Sequence, residues 1–189
     1  ALLVATGCYA EVSPAEIKAL GGVDFIFGNK GKAEIVALLT ARVPGLARPH
    51  PAPEGTHFVP GPIAHTRAFV KIQDGCDNAC TYCIVAQARG AAVSRPSAEI
   101  MQEIRERLAE GYKEVVLTGV HVGSYGRKEG ESLSQLVRAI LAKTAVPRLR
   151  LSSIDPGDLT DDLLALWHEP RLCRHLHLPL QSGCDATLE

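Results

Sequence analysis

The stretch QDGCDNACTYC, residues 73–83, sets Cys76, Cys80 and Cys83 at CxxxCxxC spacing among the turn formers Asp74, Gly75, Asp77 and Asn78. A loop of this composition can wrap three thiolates around one small inorganic centre. Working outward, Arg67 to Ile72 reads as the strand that leads into the loop. Beyond it, Ile100, Met101, Ile104 and Leu108 recur at helical spacing, with Ser97 as cap, Glu99 in the first turn and Gly111 at the exit. A strand over Glu114 to Thr118 follows, then a helix on the stripe Leu133, Leu136, Val137, Ile140 and Leu141, and a strand over Leu149 to Ser152. A third helix starts at Thr160, with Asp161 and Asp162 in its first turn, and runs to Trp167. Cys173 to Leu178 reads as the last strand. Four strands separated by three helices predict parallel β/α units with right-handed crossovers, whose functional groups gather on loops at the strands' C-terminal ends. The cysteines occupy the first such loop, and the apolar stripes are core.

Upstream the pattern is also α/β. Leu2 to Ala5 reads as strand, Pro14 to Leu20 as helix between Ser13 and Gly21-Gly22, Val23 to Phe27 as strand and Ala33 to Leu39 as helix. Four elements in residues 1–43 cannot bury a core of their own, so this part reads as the end of a larger domain. Residues 44–64 carry six of the twelve prolines and read as a linker. His50, His57 and His65 in or beside it have no ligand spacing. Residues 65–189 form the second domain. The chain opens at Ala1 inside a strand, without an initiator Met, and is read as a fragment.

With 46% hydrophobic and 22% charged residues the composition is that of a globular protein, not a disordered one. No apolar run approaches the roughly 18 residues of a membrane span, and there is no signal-peptide pattern, so a cytoplasmic location is expected. A net charge of −1 gives no general attraction to phosphate. Six cysteines are too sparse for a disulfide scaffold, and three crowded into eight residues suggest metal in a reducing compartment. Scattered at random, six cysteines would produce this triplet about once in two hundred such chains. Structural zinc requires a fourth ligand, and no CxxC or HxxxH partner follows. A 4Fe-4S cluster held by three cysteines instead leaves one iron open. A zinc-knuckle binding protein is the alternative from another class.

Spacing and surroundings together resemble the radical S-adenosylmethionine (SAM) enzymes, whose cluster loop carries an aromatic residue before the last cysteine, as Tyr82 does here. The words TGCYAEVSPAE (6–16), ARG (88–90), SRP (94–96), GYKEVVLTGVHVGSYG (111–126), LSSIDP (151–156) and HLHLPLQSG (175–183) are similar to those of the methylthiotransferases within that group. The resemblance implies the end of a flavodoxin-like N-terminal domain followed by the first four β/α units of a radical SAM partial barrel. It implies two 4Fe-4S clusters, one on Cys76, Cys80 and Cys83 and a second with Cys8 among its ligands, and SAM as methyl donor and radical source. By the same resemblance Tyr82 lies beside the adenine, Thr118 and Gly119 meet the methionine amino group, and Gln181 and Ser182 lie near the ribose.

The reaction implied is methylthiolation at C-2 of the adenine in threonylcarbamoyladenosine beside the tRNA anticodon. The related branches act on isopentenyladenosine in tRNA or on a ribosomal-protein aspartate. Expected partners are the tRNA, an electron donor such as flavodoxin or ferredoxin, and a sulfur donor; the fragment alone is expected to be inactive. Ala86-Gln87 departs from the proline and bulky residue usual before ARG, which bears on the shape of the loop. Structural roles are expected for His121, His175 and His177, bystander roles for Cys173 and Cys184, and solvated positions for Arg89 and Arg95. Asp155 reads as a turn residue.

Overall fold

The structure, a computed structural model, describes residues 2–42 and 66–188. The linker expected over 44–64, with His50, His57 and His65, lies outside the described residues. The chain divides into two units: residues 2–42 with 77–90, and residues 66–76 with 91–188.

In the first unit, strands β1 (Val4–Thr6) and β2 (Phe25–Phe27) pair in parallel, Val4 opposite Phe25. Between them lie helices α1 (Cys8–Val12) and α2 (Pro14–Ala19). The short helix α1 is absent from the sequence pattern. It starts directly after Gly7, whose φ of 120° turns the chain sharply out of the strand. Pro14 stands in the first turn of α2 as predicted, though the Ser13 side chain makes no capping bond. A 3-10 turn (Lys30–Glu34) leads into α3 (Ile35–Arg42), and α4 (Val85–Arg89) packs on α1. The described core of this unit is thin: Ala10, Ile17 and Ala88 are its buried apolar residues.

The second unit is built on a parallel sheet in the order β3 (Arg67–Lys71), β6 (Glu114–Thr118) and β7 (Arg148–Leu151). A two-residue antiparallel pair, β4 (Gln73–Asp74) with β5 (Val93–Ser94), follows β3. Helices α5 (Ser97–Ala109) and α6 (Leu133–Lys143) make the crossovers. Their stripes bury Ile100 and Ile104, and Leu133, Leu136, Val137, Ile140 and Leu141, on Val70, Val115, Leu117, Leu149 and Leu151 of the strands. Each such side chain taken wholly out of water contributes roughly 1.5–3 kcal/mol before conformational entropy is subtracted. Ser132 and Gln135 close a capping box on α6.

Three expectations change. Pro96, not Ser97, takes the N-cap position of α5. The third helix is capped by the Thr160 hydroxyl, but only Asp161–Leu164 (α7) is α-helical; Ala165–His168 tightens to 3-10. Residues 173–178 are not a strand. Leu172 makes one parallel bridge to Leu149, the Cys173 N–H donates to the Leu149 carbonyl (2.8 Å), and the Ile154 N–H donates to the His177 carbonyl (3.0 Å). β7 ends at Leu151, and the chain then turns towards Asp155-Pro156-Gly157, leaving 173–178 no continuous edge for a ladder. A last turn of helix, α8 (Asp185–Leu188), follows.

At the N-terminal ends of the three strands, register stacks Arg67, Glu114 and Arg148 side by side. Glu114 is buried and is held by Arg67 (3.0 Å), Arg148 (3.1 Å) and Arg150 (2.6 Å). Burial opposes its ionisation, but the hydrogen bonds from Arg150 and Arg148 outweigh that and keep its carboxyl below the ordinary value. The start of the cysteine loop, Gln73 to Cys76, follows the opposite end of β3.

Candidate active site

The backbone of β3 runs on through Ile72, whose N–H donates to the Thr118 carbonyl at 2.8 Å, so the chain reaches Gln73 still tied to the end of β6. Gln73 is completely buried. Its amide Nε2 donates to the carbonyls of Asp74 (3.0 Å) and Gly75 (2.7 Å), and its Oε1 accepts from the N–H groups of Val120 (3.1 Å) and His121 (2.8 Å). One side chain thus ties the start of the cysteine loop to the loop after β6. Gly119 makes this possible, because a Cβ there would stand 2.8 Å from the Gln73 carbonyl oxygen and 3.1 Å from Oε1. Gly75, buried with a φ of 71°, turns the chain towards Cys76.

Cys76 is half-buried, and its Sγ faces Nδ1 of His121 at 3.7 Å. The other ring nitrogen, Nε2, lies 2.6 Å from Oδ2 of Asp158, and Arg127 pairs with the second oxygen of that carboxylate. The side chains of His121 and Asp158 are 12% and 7% exposed, so the pair is largely withdrawn from water. Gly123 leaves room for it: a Cβ there would fall 2.2 Å from Oδ2 of Asp158. Further along the loop, the Cys83 N–H donates to the Cys80 carbonyl (3.1 Å), a turn that carries both exposed thiols. Tyr82 is 72% exposed.

Thr118 and Gly119 end β6 as predicted, and the Thr118 carbonyl is engaged by Ile72. Gln181 has a φ of 60°, a left-handed conformation unusual outside glycine. The Ser182 hydroxyl accepts from the Cys184 N–H (3.1 Å), which makes 180–184 a turn closed by its own side chain. Asp155 accepts from the Gly157 N–H (3.0 Å), as a turn residue does. Arg95 is committed within its unit, to the Lys71 carbonyl (2.7 Å) and Glu103 (2.7 Å). His177 pairs with the Ser153 hydroxyl at 2.6 Å. Trp167 donates to the carbonyl of buried Cys173 (3.0 Å).

Cys8 opens α1, with the amide Nδ2 of Asn29 3.6 Å from its Sγ; the same amide donates to the Ala88 carbonyl at 2.6 Å. The Asn29 hydrogen bond lowers the Cys8 pKa; desolvation opposes it, and the charges of Arg89 and Lys32 add to it. The thiol is biased towards thiolate, the form that ligates metal. Arg89, expected to be solvated, is therefore part of the Cys8 environment.

Residues 70–189 match the model of the radical SAM superfamily. The chain belongs to that superfamily. It is 39% identical over 194 aligned residues to the threonylcarbamoyladenosine tRNA methylthiotransferase MtaB of Thermotoga maritima, covering 100% of this chain and 44% of that relative. It is 48% identical over 123 residues to a tRNA-2-methylthio-N(6)-dimethylallyladenosine synthase of Geobacter sulfurreducens, covering 64% of this chain and 28% of the relative. The chain thus spans less than half the length of these curated relatives. Among solved structures, the radical SAM methyltransferase TsrM from Kitasatospora setae, with tryptophan substrate and aza-SAM bound, superposes with a TM-score of 0.51 at 18% identity. It covers 65% of this chain and 23% of that one, and speaks for the fold.

Membership implies a 4Fe-4S cluster and SAM, and the donor set suits the cluster. None of the six cysteines is in a disulfide, and the triplet offers soft thiolates of the kind iron-sulfur clusters take. Among the described residues no group of three His, Cys, Asp or Glu side chains converges on a single ion position. Thiolates that each take a different iron need no such common point.

Gln73 and the His121–Asp158 pair carry no individual sequence signal. Gln73 is one polar residue after an apolar strand, and Asp158 lies 37 positions from its partner.

Proposed function

We propose that the protein methylthiolates C-2 of the adenine in threonylcarbamoyladenosine beside the tRNA anticodon. The observation that carries this reading is similarity along the whole chain to a relative named for that activity, in a superfamily member with its cysteine triplet in place. Cys76, Cys80 and Cys83 hold the radical SAM cluster, and Cys8 is a ligand of a second one. The bound cluster supplies an electron for reductive cleavage of SAM. The chain's own residues hold and orient. Gln73 fixes the start of the loop against 120–121, and Gly119 keeps the end of β6 open to close approach. Thr118 and Gly119 receive the methionine end of SAM, Tyr82 its adenine, and Gln181 and Ser182 its ribose.

In this reading residues 1–43 are the end of a flavodoxin-like domain, 44–64 a linker and 65–189 part of a radical SAM partial barrel. A tRNA, a flavodoxin- or ferredoxin-like electron donor and a sulfur donor complete the system in the cytoplasm. No described helix is long and apolar enough to cross a membrane.

Mass spectrometry of tRNA nucleosides from a deletion strain tests the substrate. Loss of methylthio-threonylcarbamoyladenosine is the expected result. Loss of methylthio-isopentenyladenosine instead, or of a modified ribosomal-protein aspartate, would move the enzyme to another branch.

A further inference from the structure

We infer that His121 and Asp158 form a positioning pair that fixes Cys76 as a cluster ligand. The inference rests on the reading of Cys76 as a ligand. Both residues belong to the same unit as Cys76, and neither has a place in the function above. The ring of His121 stands between two partners, Sγ of Cys76 at 3.7 Å and Oδ2 of Asp158 at 2.6 Å. The Asp158 carboxylate is the neighbour of Nε2 and the Cys76 sulfur the neighbour of Nδ1, so each ring nitrogen has its own polar partner.

Each element of the arrangement is independently held. The His121 N–H is bound by the buried Gln73, which sets where the ring starts. Asp158 sits in space that exists only because residue 123 is glycine. Arg127 engages its other oxygen. A largely buried carboxylate–imidazole pair aimed at a sulfur is the arrangement that fixes a ligand's direction from behind. Had His121 only a packing role, neither a polar partner on both nitrogens nor a cleared cavity for Asp158 would be needed. The pair thus gives the one half-buried thiol of the triplet a fixed direction, while Cys80 and Cys83 are exposed.

The test uses the whole protein, anaerobically reconstituted, and follows iron release to a chelator together with the electron paramagnetic resonance spectrum of the reduced cluster. His121→Ala and Asp158→Ala are expected to release iron about 10–100-fold faster and to change the spectrum. Gly123→Ala displaces Asp158 without altering its chemistry and is expected to act in the same direction. His121→Asn carries an amide at about the reach of Nδ1 and is expected to return release to within about threefold of the parent, a rescue that a packing role does not provide. Should His121→Ala and Asp158→Ala prove unfolded, folded Asp158→Asn and Gly123→Ala decide through their release rates and spectra. Parental iron release and spectra in whichever of His121→Ala, Asp158→Ala, Asp158→Asn and Gly123→Ala fold, with the cluster lost in Cys76→Ala, would overturn the pair's role alone. Normal retention of the cluster by Cys76→Ala would overturn the ligand reading as well.

Discussion

Replacing Gln73 by leucine removes a side chain of similar size that no neighbour can replace chemically. Four hydrogen bonds are lost: those to the carbonyls of Asp74 and Gly75 and those from the N–H groups of Val120 and His121. A buried polar group left unpaired costs about 1–3 kcal/mol. The bond to Gly75 is wholly buried and the other three partly so; the partly buried groups recover some hydration. The total is then about 3 kcal/mol rather than the full sum. For a chain of about this length that lowers the thermal midpoint by about 6–12 °C. Denaturant titration gives the free energy, and hydrogen exchange at the Val120 and His121 amides gives the location, since those two should lose protection before the rest of β6. Gln73→Glu is the informative partner variant. A carboxylate still accepts from the two N–H groups, but it is a buried charge set against the two carbonyl oxygens, so its loss should exceed that of leucine. A leucine variant within about 0.5 kcal/mol of the parent, the range of changes that touch nothing important, would refute the clamp.

Glu114→Gln is expected to cost about 2–3 kcal/mol by denaturant titration, mainly from the part-buried bond to Arg150, because Arg67 and Arg148 are more than half exposed and screened. The folded-state pKa of Glu114 lies below the ordinary 4.5, so its stabilisation is present above that pH and is lost as pH falls through the folded value. The variant's stability should therefore fall less steeply below pH 4.5 than the parent's. Asn29→Ala should raise the Cys8 pKa, since the Asn29 hydrogen bond is the largest influence lowering it. The pH profile of Cys8 alkylation in cluster-free protein should then move to higher pH.

Much of the second unit was legible because its signals are local. Glu114–Thr118 agrees with the structure to the residue: three consecutive buried apolar side chains between Lys113 and Gly119 leave little freedom of register. The Leu133–Leu141 stripe gave α6 for the same reason. What was not legible depends on distant pairing. HLHLPL alternates as a strand should, yet the edge beside it ends at Leu151. The segment after Gly7 is too short for a helical period, so α1 carries no sequence signal of its own. At the site, the cysteines announce themselves by spacing. Gln73 and Asp158 are ordinary residues in sequence, and their importance arises only where β3, β6 and the turn after β7 meet.

In the proposed function Cys76, Cys80 and Cys83 hold an iron-sulfur cluster with an iron open to SAM. The decisive experiment is anaerobic reconstitution of the whole protein with iron and sulfide, followed by reduction in the presence of SAM. The expected result is cluster absorption and cleavage of SAM to deoxyadenosine, with cleavage abolished by Cys76→Ala, Cys80→Ala or Cys83→Ala. No cluster absorption and no cleavage, with tight zinc binding that orders the loop, would contradict it.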